Sequence, residues 1–387
     1  MRLLVLGSGL MGPAAAFHAM ADPDVREVVV SDASEAQLEA CRKKLAGRPG
    51  AEKLATFPLD LGDRAAAVKR LTGARVAVAA LPNTVSPLAI RAATEARVPL
   101  VDLTRPPAEA LPDLEREAAA RRGLVVLGCG LEPGLTEIMA RHLAEKLDRV
   151  DELHMTCGGI PERPTGPLGY KIVFGAGRLP LRETDALVVE DGRLRPVPRY
   201  SGVERLVFPG VGECEAWHEG FMPWLLDLPA LKGLRAGTQK TVRWPGYAAK
   251  VSVLRELGLL SLTPVAVDGV EVVPKRVVDA VVAPRLRLEE GERDIAVLRV
   301  EVLGEKDGRP RRYRVEMVDR YDAMTGFTAM ARTTAFTATS VARMIARGEL
   351  MGTGILTPER LLVGTALERL VRELGGLGIR FDFGEER

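Results

Sequence analysis

The sequence predicts an α/β protein: a doubly wound parallel sheet, followed by an α+β part built on a mixed sheet. Three observations predict it. From residue 2 to about residue 127, short apolar runs alternate with helical patterns. A glycine-rich turn, GSGLMG, joins the first apolar run to the first helical pattern. Beyond about residue 130 the alternation gives way to short strands with Asp-Gly turns, and helix returns from Thr325.

The elements follow in order. Residues 2–6 (RLLVL) form a first strand, and a helix rich in alanine runs on to Met20. A second strand, 27–31, ends at Asp32. A helix over 34–46 leads to a third strand at 54–58, and a helix over 63–71 to a fourth at 75–80. A helix over 86–96 precedes a fifth strand, 99–103, and one over 108–122 precedes a sixth, 124–127. Helices of this length between strands mean parallel pairing, with ligands beyond the strand C-termini. A further helix is expected over 133–147, with Pro133 in its first turn, where the missing N–H is no loss. Strands then fall at 152–156, 171–174, 187–190 and 295–303, two of them closed by Asp191-Gly192 and Asp307-Gly308. Helical pieces interrupt them at 223–227 and 248–257. Residues 328–347 place Ala329, Thr333, Phe336, Ser340 and Met344 near one helical face, and Pro358 opens a last helix. The expected domains are residues 1–130 with 325–387 returning to them, and residues 131–324.

The turn carries the first chemistry. Gly7, Gly9 and Gly12 stand in G-x-G-x-x-G order, and Asp32 follows Gly12 by 20 residues at the end of the second strand. Gly7 makes the tight turn, Gly9 lets the backbone approach a pyrophosphate, and Gly12 lets helix pack on strand. The helix N-terminus faces the negative charge. This is the dinucleotide-binding unit of the Rossmann fold, with Leu10 and Met11 in the cradle. A carboxylate at Asp32 binds ribose hydroxyls and repels a 2′-phosphate, so the cofactor expected is NAD, in preference to NADP. The other strand ends supply Asp60 and Leu61 beside the adenine, then Leu81, Pro82 and Asn83, Asp102, and the turn that begins at Gly128 and includes Cys129.

Composition excludes other classes. Lys+Arg number 54 against Asp+Glu 52, so the net charge of +2 gives no case for nucleic acid or a membrane surface as partner. No run of 18 apolar residues offers a membrane helix. The N-terminus runs straight into a strand with no cleavable small-residue site, and the expected location is the cytoplasm. Cys41, Cys129, Cys157 and Cys214 form no C-x-x-C pair, and the four histidines form no metal-binding pair, so no metal is expected.

The later motifs carry a resemblance. CGGIPERP at 157–164, PLGYK at 167–171, GECEAWH at 212–218, KTVRWPGYAAK at 240–250 and TAMARTTAFTATSVARMI from 328 resemble the saccharopine dehydrogenase superfamily. With GSGLMG at the front they are similar to its lysine 6-dehydrogenase branch over nearly the whole chain. That resemblance implies a Rossmann domain, a substrate and dimerisation domain, a homodimer, and NAD-linked oxidation of an amine-bearing carbon in a lysine-like amino acid. The chain differs from that branch at Thr104-Arg105-Pro106, where the branch has Gly-Gly-His, at Glu132, where it has a small residue, and at Tyr247, where it has His. Its LGYK looks more like saccharopine reductase or carboxynorspermidine dehydrogenase.

Amine oxidation by hydride transfer requires a base and a grip on the substrate. Glu132 is a candidate base or ammonium anchor; the other reading is a surface carboxylate favoured by a helix N-terminus. Lys171 is a second candidate base, or a solvated lysine, and Tyr170 beside it a substrate contact. His218 is either a base near neutral pH or a satisfied core histidine. Arg243 would grip a substrate α-carboxylate bidentately, or form a structural ion pair, with Tyr247 nearby. Three function classes stay open. They are oxidative deamination of L-lysine at its ε-carbon, oxidation of a secondary amine of the saccharopine or carboxynorspermidine kind, and a non-enzymatic dinucleotide sensor.

Overall fold

The computed structural model describes residues 1–175, 179–289 and 291–386. Its contacts divide the chain into two compact units, Met1–Ile138 with Ala331–Gly378, and Met139–Met330 with Ile379–Arg387. The expected boundaries lie at 130 and 325; the contacts place them at the Ile138–Met139 and Met330–Ala331 bonds.

The first unit begins β1 (Arg2–Leu6), α1 (Gly12–Met20), β2 (Glu27–Asp32), α2 (Glu35–Leu45), β3 (Leu54–Pro58), α3 (Arg64–Leu71), β4 (Val76–Ala79), α4 (Ser86–Ala96), β5 (Leu100–Asp102), α5 (Leu111–Arg121), β6 (Leu124–Val126) and α6 (Leu135–Ala144). The second contains β7 (Arg149–Pro161), β8 (Ala186–Glu190), β9 (Arg193–Val197), β10 (Glu204–Phe208), β11 (Gly212–His218), β12 (Ala236–Arg243), α7 (Tyr247–Glu256), β13 (Val265–Val267), β14 (Val270–Val272), α8 (Pro274–Val282), β15 (Asp294–Lys306) and β16 (Arg309–Arg320). The chain returns through α9 (Ala329–Ala331), a π-helical turn (Arg332–Phe336), α10 (Thr337–Ala346), β17 (Gly354–Leu356), α11 (Pro358–Leu361) and α12 (Thr365–Gly376). Last comes β18 (Phe381–Glu386).

In the first unit seven parallel strands run in the order β17-β6-β5-β4-β1-β2-β3. The order reverses at β1 and β4, which opens the crevice where such sheets bind ligands. After Arg2 the rest of β1, and all of β4, are apolar and buried because helices cover both faces. Helix α10 is buried on every side, and β17 adds a strand that the alternation did not predict. A buried charge network fastens α10 to α1 and α12. Arg343 pairs with Asp22 at 2.9 Å and with Glu373, Arg347 pairs with Asp22 and Asp24, and Ser340 donates to Glu373.

The second unit is a nine-stranded mixed sheet. Its main path is β10-β11-β12-β7-β15-β16-β18, with β8 on β12 and β9 on β8. Both Asp-Gly turns close hairpins with positive φ at each residue, 49° and 74° at Asp191-Gly192 and 52° and 68° at Asp307-Gly308. The strand expected at 171–174 is absent: Ile172 makes a single bridge to Arg287. Residues 381–386, expected with the returning helices, pair with β16. One apolar cluster gathers Tyr170, Trp217, Tyr247 and Val251, and another gathers Ile160, Phe208, Val242 and Val297. The four cysteines are buried and none forms a disulfide. Among the described residues no group of His, Cys, Asp and Glu could hold a metal, and no helix is long and apolar enough to cross a membrane.

Replacing Arg343 with alanine leaves Asp22, 4 % exposed, with one fewer buried partner. The expected loss is about 3 kcal/mol, the cost of breaking a buried ion pair. Urea unfolding of Arg343→Ala against the wild type measures it, and a midpoint shift within error contradicts it.

Candidate functional site

The first unit gathers the strand-end residues at one edge of its sheet. At Gly7, where φ is +96°, a Cβ would stand 2.4 Å from the Ala80 carbonyl oxygen, and at Gly12 one would stand 2.0 Å from the Gly7 oxygen. Both positions exclude any side chain. At Gly9 nothing lies within 4 Å of the Cβ position, so the loop is closed behind and open in front. Leu10 is 50 % exposed and Met11 is half-buried. Helix α1 has no side-chain cap at its N-terminus, which leaves its first amides for a ligand. This cradle fits a pyrophosphate.

Asp32 is ordered by the same loop. Its carboxylate accepts from Ser8 N at 2.7 Å, Ser8 Oγ at 2.9 Å and Ser34 N at 2.8 Å. Asp60 is exposed and accepts from Gly62 N, whereas Leu61 is buried. Leu81 is half-buried, and Pro82 and Asn83 are exposed after β4. Asp102 is fully buried. It accepts from Ser86 Oγ, from Thr104 N at 2.8 Å and from Thr104 Oγ1 at 3.0 Å. Burial pushes its carboxyl up to about 6 against those hydrogen bonds. Cys129 N donates to the Asp102 carbonyl at 2.9 Å. The Cys129 side chain is wholly buried and burial raises its thiol far above the ordinary range, so only its backbone remains for a cofactor. Glu132 is half-buried in the turn between Gly128 and Gly134.

The second unit brings Tyr170, Arg243 and Tyr247 together, with Trp217 as a fourth member. The Arg243 guanidinium carbon lies 4.5 Å from the Tyr170 ring centre and 5.9 Å from that of Tyr247. Trp217 stacks on Tyr247 with centroids 5.2 Å apart and ring planes 9° apart, and Tyr170 meets Tyr247 edge-on at 5.5 Å. Arg243 is 3 % exposed. Its Nη1 donates to the Val242 carbonyl at 2.8 Å, its Nε has no partner, and no carboxylate among the described residues pairs with it. Tyr170 Oη and Trp217 Nε1 are buried without partners as well. Three unsatisfied polar atoms around one buried cation are costly unless a ligand satisfies them.

The register explains why Arg243 stands alone. Glu215 of β11 lies opposite Arg243 of β12, on the same sheet face, and is 3 % exposed. Its two oxygens are taken by Gly246 N at 2.7 Å and Ala248 N at 2.6 Å, so it caps α7. Sequence reasoning overlooked Glu215 and Trp217: their period-two spacing puts them on one face of β11, and only the β11–β12 register brings that face to Arg243.

Two candidates lie elsewhere. His218 follows Trp217 in β11 and pairs in register with Lys240, so it points to the opposite face from Arg243. Its Nδ1 has no partner, and burial followed by the Lys240 charge lowers its pKa. Strand alternation thus separates it from the aromatic cage. Lys171 is ion-paired with Glu292 at 2.9 Å and donates to the Arg287 carbonyl at 3.1 Å.

Comparison with known proteins places this geometry. Residues 3–126 match the model of the saccharopine dehydrogenase NADP binding domain, and residues 130–379 that of the saccharopine dehydrogenase C-terminal domain. The chain is 24 % identical to the mitochondrial alpha-aminoadipic semialdehyde synthase of Bos taurus over 96 % of its own length and 47 % of the relative's. It is 23 % identical to the carboxynorspermidine synthase of Vibrio cholerae over 63 % of its length and 60 % of the relative's. The chain therefore spans about half the length of the curated relatives it matches. A saccharopine dehydrogenase (L-Glu forming) from Saccharomyces cerevisiae shares the fold, with a TM-score of 0.81 at 19 % identity over 100 % of both chains. The first unit is a nicotinamide dinucleotide binding domain.

Asp102 sets a pH test. Its folded pKa lies above the ordinary carboxylate value, so ionisation favours the unfolded chain and stability falls as pH rises from about 4 to about 6. Asp102→Asn removes that penalty. Its stability relative to the wild type should climb by up to about 3 kcal/mol across this window, at 1.36 kcal/mol per unit, and stay level above it. Thermal melts of both proteins between pH 4 and 8 measure the difference, and a pH-independent gap rules it out.

Proposed function

The chain belongs to the saccharopine dehydrogenase family, and on that premise we propose that it is a nicotinamide-linked oxidoreductase acting on the CH–NH group of an amino acid. The observation that carries the reading is Arg243, a buried guanidinium with no carboxylate partner in its own unit. Such a cation calls for a planar anion, and an amino-acid α-carboxylate supplies one with bidentate geometry. Tyr170 Oη and Trp217 Nε1 add two donors without partners in the same cluster.

The substrate proposed is L-lysine or a close analogue, oxidised at the ε-carbon to a semialdehyde that cyclises with its own α-amine. A bound nicotinamide dinucleotide supplies the hydride acceptor. The Gly7–Gly12 loop and the α1 N-terminus hold its pyrophosphate, Asp32 its adenosine ribose, and Asp60 with Leu61 border the adenine. Leu81, Pro82, Asn83, and the backbone around Asp102 and Cys129, line the nicotinamide end. Glu132 accepts the proton of the distal ammonium. Lys171 and His218 have no part in this proposal, because one is ion-paired and the other faces away from Arg243. The Asp32 carboxylate favours NAD over a dinucleotide with a 2′-phosphate. The protein is proposed to work as a homodimer in the cytoplasm.

A second reading is oxidation of a secondary amine of the saccharopine or carboxynorspermidine kind. Residues 168–171, LGYK, favour it, because that form looks more like saccharopine reductase or carboxynorspermidine dehydrogenase.

Purified protein with NAD and L-lysine should form reduced nicotinamide and release ammonia. Oxidation of saccharopine without ammonia, and inertness toward lysine, transfers the assignment to the second reading. Arg243→Ala should raise KM about a hundredfold with a smaller change in kcat, since a charge-assisted carboxylate contact is worth about 2–3 kcal/mol. Asp32→Ala should narrow the preference for NAD over NADP in the same assay, and equal wild-type affinity for the two refutes the role given to Asp32.

A further inference from the structure

Arg243 has an opposite charge beside it that it does not use. Glu215 stands directly across from it in the antiparallel register of β11 and β12, so both side chains leave the same face of the sheet, and both are 3 % exposed. Side chains at opposed positions start with their Cβ atoms about 5 Å apart. Glu215 does not close on Arg243, because its two oxygens turn to the start of α7, where Gly246 N donates at 2.7 Å and Ala248 N at 2.6 Å. Tyr247 lies between those two amides, and its ring centre is 5.9 Å from the Arg243 guanidinium carbon. The carboxylate therefore borders the same aromatic cage as the cation.

The other charged side chains packed about this cluster have partners of their own. Glu219 pairs with Arg199 at 2.7 Å and with Arg182 at 3.0 Å, Arg255 pairs with Asp185, Lys275 with Asp279, and Lys171 with Glu292. His218 and Lys240 lie on the opposite face of the sheet. One buried cation and one buried anion are left side by side.

Each has bonding capacity to spare. A carboxylate offers about four acceptor sites, and the two amides of α7 occupy half of them. Arg243 spends Nη1 on the Val242 carbonyl, and its Nε has no partner. A guanidinium with a carboxylate a few ångströms away matches, charge for charge, the carboxylate and ammonium on the α-carbon of an amino acid. A plain carboxylic acid would fill the Arg243 side and bring a second negative charge beside a buried Glu215, which is unfavourable where water cannot screen it.

We propose that Glu215 is a substrate-binding residue: it accepts from the α-ammonium of the amino acid whose α-carboxylate Arg243 holds, and so restricts the site to zwitterionic α-amino acids. This rests on the carboxylate grip proposed for Arg243 and adds the other half of that recognition.

Calorimetric titration of the full chain with ligand pairs that differ only in the α-amine tests it. L-Norleucine is set against hexanoate, and L-lysine against 6-aminohexanoate. The wild type should bind the amino acid of each pair about tenfold more tightly or better, as one charge-assisted hydrogen bond provides. Glu215→Gln should bring that ratio close to one, and Glu215→Asp, which keeps the charge, should recover part of it. Loss of the α7 cap alone would weaken all four ligands together and leave the ratio unchanged, so an unchanged ratio in Glu215→Gln overturns the assignment whatever the stability of the variant. A wild type that binds hexanoate as tightly as norleucine overturns it too, and if Arg243→Ala then loses hexanoate, the carboxylate grip stands without Glu215. Absence of binding by all four ligands overturns both. The ratio is read without turnover, so inertness toward lysine in the dehydrogenase assay does not decide it.

Discussion

The closeness of Gly12 to the Gly7 carbonyl is the constraint on which the first unit depends. A Cβ at Gly12 would fall 2.0 Å from that oxygen, so only glycine brings α1 this near to the loop after β1. The approach puts the uncapped N-terminus of α1 beside open space at Gly9, at the point where the strand order reverses. Asp32 then hydrogen-bonds into the loop from the end of the next strand and fixes its shape. Steric closure behind the loop and openness in front of it are two aspects of one arrangement.

In the second unit the decisive relation is between Arg243 and Glu215. Register sets the cation and the carboxylate opposite each other, where an ion pair would cancel both charges. Glu215 instead accepts from two backbone amides at the start of α7. Those bonds satisfy the carboxylate, hold the turn that carries Tyr247, and leave the Arg243 charge with no carboxylate partner among the described residues. Tyr170 and Tyr247 partly offset its desolvation through their ring faces. Polar satisfaction at one residue thus leaves its neighbour's charge uncancelled.

Much of the first unit was legible because its signals are local. Strand, glycine turn, helix and acidic strand end lie within about 30 residues, and each has a steric or electrostatic reason. The Asp-Gly hairpins were legible for the same reason, since φ > 0 at both turn residues selects them. β17 was not legible: three residues join β6 by pairing from far along the chain, and nothing in Gly354–Leu356 names that partner. Residues 381–386 were assigned with the helices before them, yet their hydrogen bonds go to β16.

The sequence by itself determined the glycine turn and the alternating sheet, and it singled out Arg243 as a candidate. Backbone sterics and short-range periodicity suffice for these. Tertiary structure decided which candidates share a site. Strand alternation turned His218 away from Arg243, while the β11–β12 register brought Trp217 and Glu215 to it. A side chain's face depends on strand register, and its free charge depends on where a neighbour's hydrogen bonds go. Both are set by long-range pairing, which a linear pattern of residue types does not specify.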